Sequence, residues 1–157
     1  MALSNPIAPQ PQIYFARAID GENPAEIRFL AAQVGRELSQ AGLAMVDPTS
    51  GTPLLGGQEV EYASSARAIV DHELSLLRRC DAVLMDMSIP NRNYIGCVCE
   101  MTYAHLWRIP CVVVYSGGSA QPRPWLLYHA AAIFETREAA IGHLAEVLKA
   151  GAASTNG

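Results

Sequence analysis

Two acidic side chains stand where the surrounding pattern asks for hydrocarbon. Glu100 lies in "NYIGCVCEMTYAHLW", Asn93 to Trp107, a full negative charge among Ile95, Val98, Cys99, Met101, Tyr103 and Leu106. Glu73 lies where Ala66, Ile69, Val70, Leu74 and Leu77 recur at helical spacing, and helical geometry puts it inside that apolar stripe rather than opposite it. A charge in a packing face costs several kcal/mol, or shifts its pKa, unless it is satisfied. Two carboxylates meeting in an apolar crevice suit cleavage at an acetal-like carbon, where oxocarbenium-like charge develops. One attacks or stabilises that carbon while the other handles a proton. Plainer roles stay open. Glu100 can complement its helix dipole at the surface, and Glu73 can snorkel to the rim or pair with an arginine. Tyr14, in the β-prone "QIYFARA", can aim its hydroxyl at a carboxylate, while alternation sends Phe15 to the other face; both rings can equally be core.

The elements that must position these groups alternate along the chain. After "QIYFARA", Asn23-Pro24-Ala25-Glu26 reads as a helix start, with Ile27, Leu30, Ala31, Val34 and Leu38 at helical spacing. "GLAMVD" is a second strand, Pro48 to Tyr62 a long Gly- and Pro-rich loop, and about Ser65 to Arg79 a second helix. "DAVLMDMS" and "PCVVVYS" are strands flanking the Glu100 helix. "WLLYHAA" is a short helix, "AIFET" a fifth strand, and Arg137 to Ala150 a closing helix. Alternation of this kind predicts an α/β fold, a doubly wound five-stranded parallel sheet in the flavodoxin-like order 2-1-3-4-5. The switch point then falls between strands one and three, so "RAIDGEN" and "SIPNRNYIG" line the crevice. One domain is expected over 12–150, with loose tails at 1–11 and 151–157.

Composition excludes several classes. Half of the 157 residues are hydrophobic, 17% are charged, and the net charge is −4. No Lys/Arg run offers a nucleic-acid groove or a membrane surface. No apolar run approaches membrane-spanning length, and the N-terminus lacks a secretory pattern, so a cytoplasmic protein is expected. Cys97, Cys99 and nearby His105 make a weak zinc pattern, because the spacing is wrong and no second pair follows. The cysteines read better as small buried hydrophobes, and no metal or cofactor is expected.

Three segments carry a resemblance: "IYFARAIDG", "HELSLLRRCDAVLMDMSIP" and "GCVCEMTYAHLWRIPCVVVY". Together, from about Ile13 to Ala132, they resemble the nucleoside 2-deoxyribosyltransferase superfamily. The nearest likeness is to its nucleotide N-glycosidase branch, with the CMP and 5-hydroxymethyl-CMP hydrolases. The resemblance implies that Glu100 is the catalytic glutamate, that Tyr14 orients it, and that Glu73 assists the departing base. It places Gly96 in the turn that approaches the sugar phosphate. The chain departs from the deoxynucleotide hydrolases at Ala18, where they have Ser, and at Asp20, where they have Arg; its turn after strand three is longer. Phosphate recognition must therefore differ, with Arg17, Ser88, Asn91, Arg92 and Asn93 as candidates. Phe15 or the Pro48–Tyr62 loop is expected near the base. The superfamily usually completes its site across a dimer, which would bring in Arg123 or Tyr128 from "GGSAQPRPWLLYH"; the plainer reading of that segment is a turn with a buried Trp125. Base exchange on free nucleosides and a non-catalytic nucleotide sensor remain rivals. The "PGGxGT" signature of the cytokinin-type phosphoribohydrolases is absent.

Overall fold

Strands that are apolar on both faces must be covered on both faces, and the computed structural model shows such a sheet. It describes residues 9–50, 59–117 and 121–154. The order of elements is β1 (Gln12–Arg17), α1 (Pro24–Gln40), β2 (Ala44–Val46), α2 (Glu59–Leu77), β3 (Ala82–Asp86), α3 (Ile95–Leu106), β4 (Cys111–Val114), α4 (Pro124–His129), β5 (Ala132–Phe134) and α5 (Arg137–Ser154). Every strand pair is parallel and the sheet order is β2-β1-β3-β4-β5, as the alternation predicts. Register pairs Tyr14 with Val83 and Arg17 with Asp86 across the central β1–β3 pair.

Period-two alternation divides the core. Ile13, Phe15, Leu84, Val112 and Val114 pack beneath Val34 and Leu38 of α1 and Ile141 and Leu144 of α5. Tyr14, Ala16, Val83, Met85 and Val113 face Leu77 of α2, Cys97, Met101 and Ala104 of α3, and Leu126 of α4. Full burial of each large aliphatic is worth roughly 1.5–3 kcal/mol, so these two layers hold the strand ends in place. The α1 start is capped as its sequence predicts: Asn23 Oδ1 accepts the Ala25 amide at 2.8 Å, with Pro24 opening the helix.

Two boundaries and one burial differ from expectation. Helix α2 begins at Glu59, so Glu59 to Tyr62 are helical; residues 51–58 of the expected loop lie outside the described residues. Helix α5 runs past Gly151 to Ser154, because the alanines there favour helix more strongly than one glycine opposes it. Trp125 is 67% exposed rather than buried, since α4 turns Leu126 and His129 inward instead. Among the described residues no helix is long and apolar enough to cross a membrane.

Candidate active site

Three elements on one side of the sheet bring Tyr14, Glu73 and Glu100 together. Tyr14 rises from β1 and is fully buried; its hydroxyl donates to Glu100 Oε1. Glu100 points inward because it shares the α3 face of Cys97, Met101 and Ala104, one helical turn apart on either side. The start of α3 is set by Asn93, whose Oδ1 accepts the Ile95 amide at 3.1 Å. The Tyr94 hydroxyl donates to the Ile89 carbonyl at 2.8 Å and ties the preceding turn down. Glu73 reaches in from α2, half-buried. The stripe around it is only partly a packing face: Leu77 is buried, while Ala66 and Val70 are exposed.

Electrostatically the group is short of positive charge. Burial pushes Glu100 up to about 8 from the ordinary 4.5, and the negative charge of Glu73 adds to the rise. The Tyr14 hydrogen bond and the Arg17 charge pull the other way without prevailing. A glutamate that complements its helix dipole at the surface would stay ionised. Glu100 stands beyond the first turn, however, where the helix dipole has faded, and desolvation outweighs it. Tyr14 is raised above the ordinary phenol value by burial and then by Glu100, so its hydroxyl keeps its proton and serves as a donor. Glu73 is also raised, by burial first and by Asp20 second. Asp20, on the turn after β1, thus lies within electrostatic reach of Glu73. Burial thus shifts both acids toward their protonated forms, the direction a general acid needs.

The other candidates from the sequence are placed differently. Phe15 is fully buried on the opposite face, and the Arg17 guanidinium lies 4.7 Å from its ring centre. Arg17 is buried too. It donates to Asp47 Oδ1 at 3.1 Å, Thr49 Oγ1 at 3.2 Å and the Ile27 carbonyl at 3.4 Å. Ser88 donates its amide at 3.0 Å and its hydroxyl at 2.5 Å to Asp86 Oδ1. Asn91 holds φ at 61°, the left-handed region that asparagine tolerates better than most residues. Arg92 pairs with Glu22 and, at 3.8 Å, with Glu26. Gly96 is exposed with open space where a Cβ would stand. Arg123, which precedes α4, and Tyr128, on it, are exposed, and the Tyr128 ring packs tilted and edge-on against His105 and His129 rather than on the acid group. A cavity of about 480 Å³ opens there, between His105, Arg108 and His129, and includes none of Tyr14, Glu73 and Glu100. Among the described residues no cluster of three potential metal ligands occurs.

Sequence reasoning missed Asp47, Asp86 and Arg137. Asp86 accepts from Ser88 and, at 3.5 Å, from Arg137; Arg137 is held by Glu37 at 2.6 and 2.9 Å. A signal was present. "DPT" after β2 and "DMS" after β3 repeat the Asp-x-Ser/Thr pattern, and both aspartates accept the amide and hydroxyl two residues on.

No family model matches the chain, and no curated protein matches it by sequence. Solved structures do. The 2-deoxyribosyltransferase of Bacillus psychrosaccharolyticus superposes with a TM-score of 0.61 at 15% identity, over 80% of this chain and 86% of that one. The CMP N-glycosidase BcmB of Clostridium botulinum gives 0.48 at 8% identity, over 85% and 97%. The flavoenzyme FerB of Paracoccus denitrificans gives 0.45 at 19%, over 84% and 79%. The first comparison establishes the fold: the chain has the α/β architecture of a nucleoside 2-deoxyribosyltransferase. The other two are too distant to add to it.

Proposed function

We propose that this protein cleaves the N-glycosidic bond of a pyrimidine nucleoside 5′-monophosphate, CMP or 5-hydroxymethyl-CMP, giving free base and ribose 5-phosphate. The observation that carries the reading is the buried Tyr14–Glu100 hydrogen bond, with a second raised acid, Glu73, in reach. Tyr14 holds Oε1, which leaves attack on C1′ to Oε2. Glu100, raised by burial to about 8, first gives up its proton to solvent; its carboxylate then forms a bond to C1′ as the C1′–N bond breaks. The electron pair leaves with the base, which takes a proton from Glu73. Water then attacks C1′ while Glu73 accepts its proton, and the glycosyl ester is released. Positive charge developing on the sugar ring finds the carboxylate of Glu100, and Glu73 joins it as an anion once its proton has passed to the base, which favours the transition state over the neutral ground state.

The outer faces of α3 and α4 expose Ile95, Leu106, Trp125, Leu127 and Tyr128. An apolar surface of that kind supports the expected homodimer, which sedimentation over a concentration series tests. A second reading, base exchange on unphosphorylated nucleosides, is favoured by one observation: the Arg17 and Arg137 guanidinium groups near the strand ends are already paired with carboxylates.

The test is free-base release from a panel of nucleoside monophosphates, with cytidine plus an acceptor base alongside. Release of cytosine from CMP, lost in Glu100→Gln, is the expected result. Turnover of cytidine only with an acceptor base would select the exchange reading. Stable CMP binding with no cytosine released would make the site a sensor and overturn the hydrolase.

A further inference from the structure

The two turns that flank the crevice are strapped together by charge. Arg92, on the turn between β3 and α3, reaches the turn between β1 and α1 and pairs there with Glu22. A second, longer contact of 3.8 Å goes to Glu26 in the first turn of α1. β1 and β3 are neighbours at the switch point of the sheet, so this bridge joins the two turns that follow them at its carboxyl edge.

The arginines near the strand ends are not alike. The Arg17 side chain is 2% exposed and that of Arg137 is 21%, each fixed from several directions. Arg92 keeps 32% of its side chain in solvent, and both of its partners are carboxylates, Glu22 on the opposing turn and Glu26 in the first turn of α1. It is therefore the guanidinium best able to change partner. A carboxylate and a phosphate each offer a pair of acceptor oxygens that the planar guanidinium fork can bind, so an incoming phosphate can take the place of Glu22. Asn91 beside it, at φ 61°, gives the turn a residue that adopts left-handed backbone more readily than its neighbours would.

We propose that Glu22 is an acidic latch: it occupies Arg92 in the free protein and is displaced by the phosphate of the substrate, which opens the crevice and selects phosphorylated ligands. The proposal rests on the reading of a phosphorylated substrate. It makes Glu22 a gating residue that touches no reacting atom. Breaking the latch must then tighten anion binding, because the protein no longer spends part of its population with Arg92 taken.

Calorimetric titration with inorganic phosphate tests this without turnover. Glu22→Gln should tighten phosphate binding by roughly 3- to 10-fold, the scale of a partly exposed ion pair, and Arg92→Gln should abolish the gain. Glu26→Gln, at the longer and more exposed contact, should shift it by less. With CMP, Glu22→Gln should lower KM by a similar factor at unchanged kcat. A merely structural staple predicts the opposite: a looser turn, weaker phosphate binding and a lower melting temperature. Unchanged or weaker phosphate affinity in a folded Glu22→Gln protein overturns the latch. Tighter phosphate binding in a protein that releases no base supports the latch and removes the hydrolase reading, so the two failures are told apart.

Discussion

The two faces of the sheet both bury charge, and they treat it oppositely. Beneath α1 and α5, each buried ion has a partner: Arg17 with Asp47, and Arg137 with Glu37 and Asp86. The hydrogen bond from Arg137 holds Glu37 below the ordinary carboxylate value. Beneath α2 and α3, Glu100 has a neutral phenol for a partner and a second carboxylate as a neighbour, and its pKa climbs to about 8. A compensated buried ion pair is weak evidence of activity, because it serves to hold turns in place. An uncompensated buried acid costs stability, and a fold that keeps one has a reason outside stability. The contrast separates the residues that shape the crevice from those proposed to act in it.

That contrast can be broken at either face. The largest effect is expected from Glu100→Gln, which should cut base release by more than roughly a thousandfold while leaving the protein folded. It should also flatten the dependence of stability on pH. The folded value of Glu100, about 8, lies above the ordinary 4.5, so its bound proton stabilises the fold. That contribution is complete below about 4.5 and is lost as pH rises through 8; Glu73 acts in the same direction. Melting temperatures from pH 5 to 9 should therefore fall more steeply in the native protein than in the glutamine variant.

On the compensated face, Asp47→Ala should cost about 3 kcal/mol in urea denaturation, because Arg17 stays buried without its counter-ion. Base release per folded molecule should fall far less than in Glu100→Gln. Next in size, Glu73→Gln should slow base release by roughly 30- to 100-fold through loss of the proton donor. It also removes a negative neighbour, so the Glu100 limb of the pH–rate profile should move to lower pH. Smallest is Tyr14→Phe, which should cost about tenfold in rate and move the same limb upward, since the hydroxyl stabilises the ionised acid. Equal rate losses from Asp47→Ala and Glu100→Gln would erase the distinction between the faces.

Much of this was legible beforehand, and the reason is local. Strand order follows from alternating elements and handedness rules, which need no long-range information. Glu100 and Glu73 betrayed themselves by standing in apolar company, and Tyr14 by its strand position with the segments that resemble the superfamily. The partners of the arginines were hidden because each pair joins turns far apart in the chain: Arg17 meets Asp47, and Arg92 meets Glu22. A formal charge of one arginine on a turn says nothing about which carboxylate the fold will swing against it. The ionisation of Glu100 is hidden for a related reason. The helix dipole is visible in sequence, whereas the depth of burial that overrides it is a property of three packed elements.

The most direct measurement is the titration of the Glu100 carboxyl carbon by NMR in the free protein, assigned through Glu100→Gln. A value near 8, falling in Glu73→Gln, is what an uncompensated buried acid requires. A value at or below 4.5, indifferent to Glu73, would mean that Glu100 is solvated or already paired, and the uncompensated buried acid that sets this face apart would not exist.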